Sequence, residues 1–244
     1  MGLTESALYF VPPTTLTALA KEKSVKENGY SARNIAYALG RSACMDSGRQ
    51  ACIDAGATLA LVEMLKTQVA KTNKKIVDCV AEALMNISKS DAGRQSCVDA
   101  GAPLALVSIV AANHAGFYYT IVDALVWFTE SEPGRQACID AGAPLALTTL
   151  VAANHSNYHL NYFLSNISKA FINIAESEPG RQACIDAGAP LALTNFIGTL
   201  SNDDDDYYYS KYNEEIRSAF KAITGTDFIV STVKTQSENT TRVE

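Results

Sequence analysis

Apolar positions return at three- and four-residue steps along four long segments, Ile76–Ser90, Tyr119–Ser131, Leu164–Ser177 and Tyr212–Thr224. In the first, Val80, Ala83, Leu84 and Ile87 share one side of a helix, the pattern of an amphipathic element with one buried face. Ser31–Ala43 carries the same pattern ahead of them, and Pro13–Lys21 predicts a shorter helix before that. Between the long segments lie paired short ones. Gly93–Ala100 is amphipathic, Gly101 interrupts it, and an apolar run, LALVSIV, follows Pro103. Glycine admits the left-handed backbone that ends a helix, and proline in a first turn gives up no needed hydrogen bond, so two helices meet at a corner. Gly56, Gly142 and Gly188 repeat the break; Pro144 and Pro190 repeat the start, and Thr58 takes the proline's place in the earliest copy.

These segments belong to a repeat. GRQACIDAGAPLAL stands word for word at Gly134–Leu147 and Gly180–Leu193, with near copies beginning at Gly93 and Gly48, so the starts are 45, 41 and 46 residues apart. That period marks stacked helical units, each packing only on its neighbours. It divides the chain into a partial leading unit over 1–47, four full units over 48–225 starting near 48, 93, 134 and 180, and a polar tail over 226–244 expected to be disordered. A solenoid offers a long surface and usually no enclosed cavity. The expectation is therefore a binding scaffold, with no enzymatic activity and no cofactor.

Three helices per unit, the glycine corner, and the wording RQ..iDAGAp.aL followed by A..AL.NI resemble armadillo repeats over nearly all of residues 10–225. HEAT repeats have two helices per unit and no obligatory glycine corner. The resemblance implies an all-α fold, a right-handed superhelical solenoid whose third helices line an inner groove for an extended peptide or a partner protein. In armadillo proteins that hold extended peptides, an asparagine late in each third helix clamps the ligand backbone. Arg41, Asn86, Trp127, Asn173 and Ala222 stand at that position here, and Tyr37, Glu82, Asp123, Lys169 and Ser218 one turn earlier. Only two asparagines keep the pattern and no tryptophan stands one turn earlier, so the importin-type clamp for nuclear-localisation peptides is not expected. The candidate groove residues are Tyr37, Arg41, Glu82, Asn86, Asp123, Trp127, Asn166, Lys169 and Asn173. Trp127, the sole tryptophan, is the natural anchor.

Charge narrows the partner class. The net charge is −6; residues 1–75 carry 10 Lys+Arg against 6 Asp+Glu, and residues 76–230 carry 8 against 18. An acidic chain argues against non-specific nucleic-acid binding, which depends on neutralising phosphates, and points to a protein partner. No apolar run reaches the roughly 18 residues of a membrane span, no basic-then-apolar leader opens the chain, and a cytoplasmic location is expected. Cys52, Cys97, Cys138 and Cys184 hold equivalent places in successive units. Stacked helices about 8–10 Å apart are too distant for disulfides, so these read as small packing residues. Arg49, Arg94, Arg135 and Arg181 recur likewise, as do Asp54, Asp99, Asp140 and Asp186, and the expectation is an arginine–aspartate ladder joining neighbouring units. His114, His155 and His159 lack a third ligand type, so no metal site is expected. MGLTES matches the pattern for myristoylation of Gly2. A lipid-tethered scaffold, or a non-catalytic regulatory subunit of a larger enzyme complex, is the alternative reading, and exposed repeat ends allow a homo-oligomer.

Overall fold

The computed structural model describes residues 8, 11–112, 119–153, 161–199 and 207–227. Gly2, the three histidines, the acidic run Asp203–Asp206 and nearly all of the C-terminal tail lie outside them. Every described element is a helix. The leading unit comprises α1 (Pro13–Lys21), α2 (Lys23–Lys26) and α3 (Gly29–Ala43). The first full unit comprises α4 (Asp46–Asp54), α5 (Ala57–Leu65), a short α6 (Gln68–Thr72) and α7 (Lys74–Ile87). The second has α8 (Asp91–Asp99), α9 (Ala102–Ala112) and α10 (Tyr119–Thr129). The third has α11 (Glu132–Asp140), α12 (Ala143–Ala153) and α13 (Asn161–Ile174), and the fourth α14 (Glu178–Asp186), α15 (Ala189–Thr199) and α16 (Tyr207–Thr224).

Each corner forms where the sequence places it. Gly56, Gly101, Gly142 and Gly188 take φ between +71° and +80°, the left-handed conformation that costs other residues strain. At these corners α8 meets α9 at 64° and α11 meets α12 at 70°. The helix after the corner buries Ala102, Leu106 and Val110 in one unit and Ala143, Leu147 and Val151 in the next. Successive third helices, α3, α7, α10, α13 and α16, pack more closely on one another than successive first or second helices do. The stack therefore curves toward its third helices, which form the inner face.

The tightest constraint lies at the other junction, where a third helix hands over to the next unit. Ser90, Ser131 and Ser177 cap the following helix by accepting from the backbone N–H of Gly93, Gly134 and Gly180, and Asp91, Glu132 and Glu178 place a negative charge in its first turn, where the helix dipole favours it. The capped glycine lies against the last carbonyl of the third helix. A Cβ on Gly93 would sit 1.8 Å from the Ile87 oxygen, one on Gly134 2.0 Å from that of Phe128, and one on Gly180 1.8 Å from that of Ile174. Only a hydrogen atom fits there.

The recurring arginines secure the same junction, but not with the expected partners. Nη1 of Arg94, Arg135 and Arg181 donates to the backbone carbonyls of Ser88, Thr129 and Ala175 at 3.1, 3.2 and 2.9 Å. Arg94 and Arg181 also pair with Asp91 and Glu178 in their own first turns. Within a unit, from the first helix to the residue that follows the third, Arg94 reaches Glu130 at 3.3 Å and Arg135 reaches Glu176 at 2.5 Å. Asp54, Asp99, Asp140 and Asp186 instead accept from Gln50, Gln95, Gln136 and Gln182 of their own helices at 2.7–2.8 Å. The correction has a simple cause. The arginines lie in the first turn of each short helix and the aspartates at its far end, so the carboxylates within reach are first-turn acids and the glutamate ending the next third helix. At the first boundary Lys89 occupies the place of Glu130 and Glu176, and Arg49 donates through Nε to the Asn86 carbonyl at 2.8 Å.

The equivalent cysteines are free and fully buried. Cys52 and Cys97 point toward the carbonyls of Leu39 and Leu84 at 3.8 Å. Burial pushes the Cys52 thiol up to about 11 and those of Cys138 and Cys184 up to about 12. A thiol-specific chromogenic reagent at mildly alkaline pH should therefore label exposed Cys44 in the native protein and reach these four positions only on unfolding; fast native labelling of Cys138 would contradict the packing described.

The two glycine classes should respond differently to alanine. Gly134→Ala forces the junction apart and should cost about 3 kcal/mol. Gly142→Ala meets nothing within 4 Å and should cost about 1–2 kcal/mol through left-handed strain alone. Urea denaturation of the two variants measures the difference, and equal losses would show that the junction relaxes freely.

Candidate binding groove

The inner face is built by residues of α3, α7, α10 and α13. At its N-terminal end, half-buried Tyr37 and exposed Arg41 line a pocket of about 330 Å³ with Pro13, Met45, Ser47 and Gly48. Glu82 on α7 is half-buried. Trp127 stands half-buried on α10 near the middle of the array, and the Lys89 ammonium lies 5.9 Å from the centre of its ring. That placement lets the cation meet the negative face of the indole. Lys169 on α13 is exposed and Asn173 half-buried.

The asparagines are not arranged as a ligand clamp. Asn86 is only 2% exposed; its amide donates to the Gly40 carbonyl at 3.2 Å and to Cys44 Sγ at 3.5 Å, while its oxygen accepts from Lys89 at 2.6 Å. Asn166 is buried and donates to Asp123 at 2.5 Å. Asn173 donates to the Thr129 hydroxyl at 3.1 Å. Each bond runs back to the third helix of the preceding unit, so these side chains fasten unit to unit. The expectation that Asn86 and Asn166 face a ligand is corrected on this ground. Their amide groups are satisfied within the stack, and withdrawing them would leave buried polar groups unpaired. Thr120 reaches back to Asp78 at 3.3 Å in the same direction.

Lys89 is the candidate groove residue that sequence reasoning passes over. Its signal is a break in the repeat: the residue before the capping serine is glutamate at Glu130 and Glu176 but lysine here. The exchange removes the carboxylate that would face the arginine and supplies a cation that lies beside Asn86 and Trp127. Among the described residues, no three His, Cys, Asp or Glu side chains are placed to hold a metal ion.

Asp123 carries the electrostatic perturbation of the groove. Its carboxyl is raised above the usual carboxylate range by burial, against the opposing pull of the Asn166 hydrogen bond and the Lys169 charge.

With this geometry in view, the chain can be set beside known structures. The fold is an armadillo-like repeat solenoid. No protein-family model and no curated protein matches the sequence, but solved structures match the backbone. An engineered protein superposes with a TM-score of 0.71 and 25% identity, covering 92% of this chain and 88% of that one. A designed armadillo repeat protein in complex with the peptide (KR)4 gives 0.67 and 21%, covering 88% and 82%. A chain from a structure concerning the interaction between cadherin and β-catenin gives 0.67 and 16%, covering 86% of this chain and 36% of that one.

A carboxyl whose folded pKa lies above its unfolded value binds more protons in the native state, so its ionisation lowers stability as pH rises through that window. Asp123→Asn keeps an acceptor for Asn166 and removes the ionisation. Its denaturation midpoint should gain on the wild type as pH rises above the ordinary carboxylate range, and a difference that stays constant as pH rises would contradict the shift.

Proposed function

We propose that the protein is a non-catalytic scaffold that binds a segment of a partner protein along the inner groove of its third helices. The observation that carries this reading is Trp127, half-buried at the centre of that face with Lys89 over its ring. A half-buried indole with a cation over its ring suits an apolar or aromatic partner side chain with a carbonyl or carboxylate next to it. The peptide held by the designed armadillo protein supports a binding role for this architecture. The internal bonding of Asn86, Asn166 and Asn173 favours side-chain anchoring over a repeated grip on the ligand backbone. A cytoplasmic adaptor role is consistent with the charge and cysteine usage.

Peptide display on the wild type and on Trp127→Ala, matched for thermal stability, tests the proposal. Peptides selected by the wild type should shift the fluorescence of the single tryptophan and lose about thirtyfold in affinity on Trp127→Ala, equivalent to about 2 kcal/mol. Selected peptides that bind both proteins equally would move the site off the groove.

A further inference from the structure

The outer corner of the superhelix carries a second repeated surface. Five residues beyond the last aspartate of each first helix stands a leucine, giving the pairs Asp54 and Leu59, Asp99 and Leu104, Asp140 and Leu145, and Asp186 and Leu191. The four leucines are 53%, 60%, 62% and 66% exposed, and the four aspartates are exposed as well. None of these leucines joins the core, yet each unit presents one. On the following turn in units two to four stand Ser108, Thr149 and Asn195, and α9, α12 and α15 contain no charged residue. The result is an apolar row bordered by an acidic row. The aspartates hold only glutamine amides, because the recurring arginines are engaged at the junctions. Near the N-terminal end of the row, Leu104 borders a cavity of about 680 Å³ with Val62, Leu65 and Ile109. Lys66 and Lys74 at its rim are paired with Glu63 and Asp78, both at 2.7 Å.

We propose that this corner surface docks an amphipathic α-helix of a partner protein, one that carries an apolar and a basic residue at each step along its length. Neighbouring units are about 8–10 Å apart, and a helix rising 1.5 Å per residue covers that distance in about five to seven residues. One apolar and one basic position per two turns therefore keeps pace with both rows. An extended segment fits less well, since the uncharged second helices of units two to four give its backbone N–H and C=O groups few partners. A second copy of the chain lacks the charge complement. Antiparallel copies would set aspartate row on aspartate row, and no Lys or Arg occurs over residues 95–134 or 136–168 to face it in a parallel pair. An anionic membrane surface is opposed by the same acidic row.

A stapled helical peptide with leucine and lysine each recurring every seventh residue is the probe, and its twin has glutamate for lysine. Fluorescence anisotropy at low salt reads binding. The lysine peptide should bind the wild type, lose about tenfold or more on Leu104→Asp with Leu145→Asp, and lose affinity as salt screens the pairing. The glutamate twin should bind the wild type at least about tenfold more weakly and regain affinity on Asp99→Lys with Asp140→Lys. Trp127→Ala should leave the lysine peptide's affinity within about twofold, which separates this surface from the groove. Absent binding, equal binding of the two peptides, or loss on Trp127→Ala would overturn the proposal. So would concentration-dependent dimerisation abolished by the leucine variants, which would assign the surface to a second copy, or wild-type binding to anionic vesicles lost in the same variants.

Discussion

The architecture depends on the contact between a glycine and a carbonyl. At each handover the third residue of a new first helix lies so close to the end of the preceding third helix that a single methyl group would overlap its oxygen. This approach sets the angle at which one unit leaves and the next begins, and the angle, repeated, sets the curvature. Serine caps, first-turn carboxylates and arginines that grip the carbonyls ending the third helix all act at the same place. They satisfy groups that a helix end would otherwise leave unpaired, which allows two helix termini to abut.

Bonding between units then divides by face. On the inner face, Asn86, Asn166, Asn173 and Thr120 each reach back to the preceding third helix. Within the second and third units, arginine–glutamate pairs tie the first helix to the residue that follows the third. The first full unit lacks such a pair, because Lys89 stands in the glutamate's place, and the aromatic centre of the groove acquires its cation by that loss. One substitution in the repeat thus moves a charge from structure to surface.

The repeat made the solenoid legible. Glycine spacing located all four corners, and α1 was predicted at Pro13–Lys21 as it is observed; α3 begins two residues before the predicted Ser31. The short helices α2 and α6 gave no periodic signal, since four or five residues are too few to establish a period. The arginine partners could not be read because recurrence at equal spacing relates every arginine to every aspartate alike, and only the direction of each helix decides which carboxylate lies within reach. The asparagine positions were legible but their orientation was not: a residue on the inner face of one helix is also a residue beside the next, and the buried carbonyl of Gly40 has a stronger claim on Asn86 than solvent does. Counting places Trp127 on the expected groove face, and the side chain is half-buried with Lys89 over its ring.

The near-identity of the corners beside the diversity of the third helices has a statistical consequence. A molecule that touches only the corners meets the same pattern after every translation by one unit, so it has several equivalent alignments and no fixed address along the superhelix. One that touches Trp127 has a single alignment. The same backbone therefore offers one surface that measures length and another that measures position.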